Sequence, residues 1–321
     1  MTRDPHRRRR VTVIVGPTAI GKTAVAVTAA RDTGGEIVSA DSRQIYRGME
    51  IGTAKPTPDE RAAVPHHLVD IIEPGEAYDA SRFARDAARA IDEIVERGRE
   101  PFVVGGTGFY VASLFEGLFD GPGRNAAVRE ELEARLAVEG APALHAELRE
   151  VDPGTAARIH ENDSARVVRA LEVYRSTGRP LSAWHRRGRR RAGYEPDYFG
   201  LTMDRETLYA RVDRRVDAMF EAGLVGEVEA LVAAGRLGPE MPAATAVGYR
   251  EILDAIESGE PVDDRVVDLV KRNTRRYAKR QITWFTAVAG VRWLDLATLG
   301  VDGAAAAIVE AVERRSERES S

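Results

Sequence analysis

The chain has 321 residues, 43% of them hydrophobic and 31% charged, enough to bury a core and to form two domains or one large α/β domain with an insertion. It has no cysteine, which excludes disulfides, thiolate-bound zinc, iron–sulfur clusters and a cysteine nucleophile. The net charge of −4 argues against a polyanionic partner only until it is resolved along the chain: residues 3–10, 185–193 and 271–280 hold 16 cations and one acid, leaving −19 on the rest.

In chain order, the apolar run Val11–Val15 predicts a buried parallel strand that enters a glycine-rich turn. It breaks at Gly16 and Pro17, so the arginine-rich start is not read as a targeting segment. Short apolar runs at Ile37–Ser39 and Phe102–Val104 predict two more strands. Between them, Asp79 or Ser81 is placed to cap a helix with Phe83, Ala87, Ile91 and Ile94 on one face. Strand alternating with helix predicts a parallel sheet. The glycine–proline punctuation at 121–123 opens a mostly helical stretch over 126–175, expected to be an insertion spanning 121–196. A strand at Tyr198–Met203 returns the chain to the core, followed by helices over 205–234 and 262–288, a last strand at Val291–Leu294 and a polar tail at 313–321. The fold class is thus α/β: a P-loop-type core of parallel sheet and flanking helices, interrupted by a helical insertion. No apolar stretch approaches the ~20 residues of a membrane-spanning helix, so a cytoplasmic protein with no membrane partner is expected.

Residues 16–23, Gly16-Pro17-Thr18-Ala19-Ile20-Gly21-Lys22-Thr23, satisfy G-x-x-x-x-G-K-[ST] between a predicted strand and a predicted helix. The loop N–H groups and the positive end of the helix form a phosphate site of the nucleotide- or ATP-binding type. Lys22 is placed on the distal phosphate, and the Thr23 hydroxyl on magnesium. Asp41 ends the second strand; it is either a magnesium or turn residue, or a general base beside the phosphates. The stretch 105–110, GGTGFY, puts a second glycine-rich turn at the same sheet edge, with Thr107 as its polar side chain and Phe109 and Tyr110 as packing or stacking aromatics. His66 and His67 are adjacent and point apart on a strand, which favours a structural or gating role over a shared metal ion.

The stretches GPTAIGKT, DSRQIYRGMEIGTAKP (41–56), PHHLVDI (65–71) and GGTGFY together resemble the bacterial tRNA dimethylallyltransferases, as do NDSARVVRALEVYRSTGRP (162–180), AVGYRE (246–251) and TRRYAKRQITWF (274–285). The resemblance covers about residues 11 to 295. It implies transfer of a dimethylallyl group from dimethylallyl diphosphate to the exocyclic amine of the adenosine 3′ of the anticodon, with magnesium. On that reading Asp41 is the general base, Thr107 stands at the reacting centre and Arg211 neutralises the leaving diphosphate. Asp41, Ser42, Arg43, Gln44, Thr107, Arg129, the segment Ala165, Arg166, Val167, Val168 and Arg169, and Gln281 are implied on the tRNA. This sequence departs from the family at Ile20, where Ser is usual, and at Thr286, where a basic residue is usual. The absent cysteines fit the zinc-free bacterial form.

Lys271, Arg275, Arg276, Lys279 and Arg280, with Arg272, cover about half the circumference of one helix, and no acid lies between residues 271 and 280. That face, with Tyr277 and Trp284 on the same helix, suits RNA phosphates and a splayed loop base, and the 185–193 cluster suits a basic loop contact. The expected partners are therefore the tRNA anticodon stem-loop and dimethylallyl diphosphate, bound by a monomer. Three alternatives share part of these features: prenylation of free adenine nucleotides, a small-metabolite kinase, and an RNA-binding NTPase switch.

Overall fold

Residues 11–15 are fully buried in strand β1 (Arg9–Val15), as a strand covered on both faces requires. The computed structural model describes residues 9–117, 121–186 and 193–320; the arginines at 3–8 and 187–191 lie outside them. After β1 come α1 (Lys22–Thr33), β2 (Glu36–Ser39), α2 (Pro58–Ala63), β3 (His66–His67), α3 (Ala80–Glu96), β4 (Pro101–Gly105) and α4 (Gly108–Phe115). Asp79, not Ser81, caps α3 by accepting from the Arg82 N–H at 2.8 Å. The predicted apolar face of α3 is wholly buried, and each large side chain there contributes about 1.5–3 kcal/mol.

Residues 116–192 form a unit of their own, against the expected 121–196. It contains α5 (Ala126–Glu139), α6 (Ala141–Val151), α7 (Pro153–Ala156), α8 (Ser164–Thr177) and α9 (Leu181–Arg186) around a core of Leu132, Leu144, Leu148, Val167 and Leu171. Asn125 and Asp163 cap α5 and α8.

The first unit resumes with β5 (Tyr194–Thr202), α10 (Arg205–Glu221), α11 (Leu224–Ala233), α12 (Tyr249–Ser258), α13 (Asp264–Thr286), β6 (Arg292–Asp295) and α14 (Leu296–Ser320). The six strands form one wholly parallel sheet in the order β3-β2-β4-β1-β5-β6. The carboxyl ends of β1, β2 and β4 therefore meet at one edge. One apolar cluster packs α1 and α14 on the sheet. A second gathers Ile45, Met49, Leu224 and Tyr249 beneath the 41–53 segment. Among the described residues no helix is long and apolar enough to cross a membrane.

Three differences from the expected elements have local causes. The helix expected over 205–234 is broken by Gly223 at φ 94°, a conformation that suits a residue without Cβ. Strand β3 has two residues, too few to carry an apolar pattern. The polar tail is helical because its apolar stripe begins earlier, at Ala304, Ala305, Ile308 and Ala311, and because Arg315 is buried against Glu100, Thr12 and Asp197 at the opposite sheet edge. Removing one partner of a buried pair strands the other charge. Arg315→Ala should lower unfolding free energy by about 3 kcal/mol in urea titration, while ligand affinity of the folded protein stays unchanged.

Candidate active site

The loop after β1 turns through Gly16 at φ 152°, Ala19 at φ 62° and Gly21 at φ 108°, so its backbone curls over the start of α1. Successive N–H groups of such a loop form an anion cradle at a helix N-terminus. Lys22 curls back, and its Nζ donates to the Gly16 carbonyl at 3.0 Å and the Pro17 carbonyl at 2.8 Å. Burial lowers the Lys22 pKa to about 8, with Asp41 opposing the shift and Arg215 adding to it. Ile20 packs downward into the core and is fully buried, so this departure leaves the loop's backbone donors in place.

Asp41 follows β2. Its Oδ1 accepts from the backbone N–H of Arg43 at 2.8 Å and of Gln44 at 3.3 Å, which fixes the carboxylate's orientation. The neighbouring residues are held as firmly. The Ser42 N–H donates to Thr107 Oγ1 at 3.1 Å, Arg43 reaches the Pro242 and Thr245 carbonyls, and the Gln44 amide bridges Ser39 Oγ and the Ala54 carbonyl. Gly105 explains why Thr107 and the 40–42 segment meet: a Cβ there would lie 2.1 Å from the Ala40 carbonyl oxygen, so only glycine lets β4 end so close to β2.

Helices α10 and α13 close the other side. A Cβ on Gly21 would lie 3.6 Å from an Arg211 terminal nitrogen, which puts that guanidinium over the phosphate loop. Arg215 lies one turn on; burial depresses its pKa and Asp41 opposes the shift. Tyr277 is pushed up to about 12, first by burial and then by the Asp41 charge, while a hydrogen bond with Thr107 opposes the rise. Arg215 is absent from the expected set, although the i, i+4 spacing of Arg211 and Arg215 puts both on one helix face.

Two cavities meet at Asp41. A cleft of about 660 Å³ runs along the phosphate loop past Thr23, Arg211, Arg214 and Arg215. A smaller one of about 160 Å³ has apolar walls from Val216, Met219, Val247 and Val270, with Arg280 also lining it. Thr18, Asp41, Thr53, Arg215 and Tyr277 line both. A third, about 30 Å³, holds Lys22, Thr23 and His66, whose buried Nε2 has no hydrogen-bond partner. His66 Nδ1 lies 2.7 Å from the Val64 carbonyl, whereas His67 pairs with Glu36. Among the described residues no three His, Asp or Glu side chains converge on a metal position.

Several expected RNA contacts sit elsewhere than on an open surface. Gln281 is 5% exposed; its Oε1 accepts from the Thr18 N–H at 2.7 Å and its Nε2 donates to the Gly106 carbonyl at 3.0 Å, so its amide is committed to the two loops. Val167 and Val168 are core residues of the helical unit, because the Asp163-capped α8 turns them inward; Ala165 and Arg166 are exposed and Arg169 is partly so. On α13, Lys271 pairs with Asp217 at 2.6 Å and Arg275 with Asp213 at 2.5 Å. Both acids come from α10, which is why the run of cations shows none. Arg272, Arg276, Lys279 and Arg280 remain on the exposed face, and Arg280 lies 5.7 Å from the Tyr277 ring centre. The two aromatics after Thr107 differ: Tyr110 stacks on Phe83 in the core with ring centres 4.4 Å apart, and Phe109 is 54% exposed. Thr286 donates to the Ile282 carbonyl on an exposed turn of α13.

Residues 44–288 match the family model described as IPP transferase, and residues 9–67 match one described as isopentenyl transferase. The chain is 47% identical over 297 residues to a tRNA dimethylallyltransferase 2 of Geotalea uraniireducens, covering 91% of this chain and 94% of that one. It is 46% identical over 289 residues to a tRNA dimethylallyltransferase of Geobacter sulfurreducens, covering 90% and 92%. The crystal structure of a tRNA isopentenylpyrophosphate transferase from Bacillus halodurans superposes with a TM-score of 0.70 at 40% identity, over 98% of this chain and all of that one. A eukaryotic dimethylallyltransferase acting on tRNA gives a TM-score of 0.80 at 28% identity, over 96% and 80%.

With burial lowering its pKa to about 8, Lys22 is a cation below that pH and loses its charge above it. Pyrophosphate binding, followed by calorimetry, should weaken by up to about tenfold per pH unit above about 8. Lys22→Arg, whose guanidinium stays charged, should remove that limb and leave only the titration of pyrophosphate itself.

Proposed function

This chain belongs to the IPP transferase family of tRNA dimethylallyltransferases, and on that premise we propose how its cleft performs the transfer. The enzyme moves a dimethylallyl group onto tRNA. In our reading the donor is dimethylallyl diphosphate, seated in the larger cleft with its diphosphate on the loop 16–23. The acceptor is the exocyclic amine of the adenosine 3′ of the anticodon. The observation that carries this reading is the position of Asp41, where the cleft along the loop 16–23 and the apolar-walled cavity meet.

The amine nitrogen attacks C1 of the dimethylallyl group as the C1–oxygen bond breaks, and that bond's electron pair leaves with the diphosphate. Lys22, Arg211 and the loop N–H groups stabilise the negative charge that develops there, an interaction stronger in the transition state than before it. The amine proton passes to Asp41, whose carboxylate is already oriented by the Arg43 and Gln44 N–H groups. The carbon skeleton lies against the apolar walls, which exclude the water that would otherwise capture an allylic cation. Thr107, bonded to Ser42 and facing Tyr277, fixes the wall beside the amine.

The donor set fits magnesium held chiefly by the diphosphate itself. The Thr23 hydroxyl offers a hard oxygen ligand, and no converging protein cage is present among the described residues. When bound, the ion would neutralise charge on the departing diphosphate. Exposed or partly exposed cations of α13 and of the helical unit, Arg166 and Arg169 among them, are read as contacts to the anticodon stem-loop. We read the chain as acting as a monomer, and a tRNA substrate accords with cytoplasmic work.

Incubation with labelled dimethylallyl diphosphate and unmodified tRNA, AMP or ATP should label the tRNA alone; label on AMP and not on tRNA would overturn the acceptor, and ATP turnover would point to a kinase. Asp41→Ala should reduce kcat by about 10²- to 10⁴-fold while tRNA affinity changes less than about twofold. Retained turnover would remove Asp41 from the proton transfer.

A further inference from the structure

Glu172 of α8 is fully buried, and a buried carboxylate must be matched by donors. Its Oε1 accepts from the Asn125 N–H at 2.7 Å and lies 3.1 Å from Arg169; its Oε2 lies 3.4 Å from Arg129. Asn125 is the cap residue of α5, and Arg129 sits in that helix's first turn. Arg169 also donates to the Pro122 carbonyl at 2.7 Å and the Gly123 carbonyl at 3.4 Å. One carboxylate thereby ties together the start of α5, the middle of α8 and, through Arg169, the segment leading into α5.

Both guanidinium groups are held by the protein and partly open to solvent. Their side chains are 23% and 32% exposed, and among the described residues neither commits all five of its N–H donors. The second acid on Arg129, Glu133 at 2.8 Å, is 52% exposed, so that pair opens to solvent at little cost. An unanchored arginine loses side-chain entropy when it grips a phosphate; one fixed beforehand loses less.

We propose that Glu172 is a positioning residue for tRNA binding: it holds Arg129 and Arg169 as a preformed two-arginine clamp for the RNA backbone. The inference rests on the reading of the helical unit as tRNA-binding. The clamp's sign is opposite to that of simple electrostatics. Glu172→Gln makes the unit more positive, so a bystander acid would on removal leave RNA binding equal or tighter. A positioning acid would on removal loosen it.

The test uses the full-length enzyme with unmodified tRNA and dimethylallyl diphosphate. Glu172→Gln should raise KM for tRNA about tenfold, with kcat at saturating tRNA and KM for the diphosphate unchanged. Arg169→Lys keeps the charge but has no fork to span Glu172 and the Pro122 carbonyl, and should raise KM for tRNA similarly. An unchanged or lower KM for tRNA in Glu172→Gln overturns the proposal. If Glu172→Gln melts early, the Arg169→Lys result decides by the same criterion. The joint variant Arg129→Ala/Arg169→Ala tests the underlying reading separately: if it leaves KM for tRNA unchanged, the helical unit's arginines do not grip RNA at all.

Discussion

One buried amide holds the active edge together. Gln281 joins the Thr18 N–H of the phosphate loop to the Gly106 carbonyl of the second glycine-rich loop, and its own backbone belongs to α13. A Cβ at Gly106 would lie 2.1 Å from the Gln281 nitrogen, so the bridge exists only because that position is glycine. Three elements far apart in sequence are fixed to within a hydrogen bond of each other. Positioning of that order is what separates a site that reacts from one that merely binds. The adjoining contacts repeat the logic: Gly105 against Ala40, Thr107 against Ser42, and Gly108 beneath the Trp284 ring.

Charge is distributed around this edge with the same economy. Lys22 and Arg215 are both shifted by burial toward losing their protons, and Asp41 opposes the shift at each. Two cations and one carboxylate line one cleft, a net positive charge suited to an anionic ligand. The basic face of α13 is thinned in turn by Asp213 and Asp217, which tie that helix to α10 and leave the outward cations for a partner. Part of what a charge run suggests as a binding surface is thus structural.

The readable and unreadable parts of the molecule divide by range. The phosphate loop, the α3 face and the three early strands rest on residues adjacent in sequence or spaced by one helical turn, so their pattern is visible in the chain. Thr107 was legible beside the phosphate loop because two glycine-rich strand ends on one parallel sheet face the same edge, whereas its place beside Asp41 was implied by the family resemblance. Arg215 was within reach through its spacing from Arg211. What escaped depends on partners more than 60 residues away: the Asp213 pairing of Arg275, the Gln281 bridge, and the Arg315 anchor that keeps a polar tail helical. Val167 and Val168 escaped for a different reason, since a segment implied on the RNA is also an amphipathic helix, and only some of its faces are outside.

The hydrogen bonds of Lys22 to the Gly16 and Pro17 carbonyls tie the ammonium group to the loop's own backbone. It can be drawn away only by an acceptor that offers more than two neutral oxygens. A molecule with a single weak anion gains little by that exchange; one with clustered, doubly bridging anionic oxygens gains a charge-assisted bond for each neutral bond surrendered. On the proposed reading, the loop discriminates by the density of negative charge a visitor carries before any of its carbon skeleton is felt, with the lysine as the turnstile.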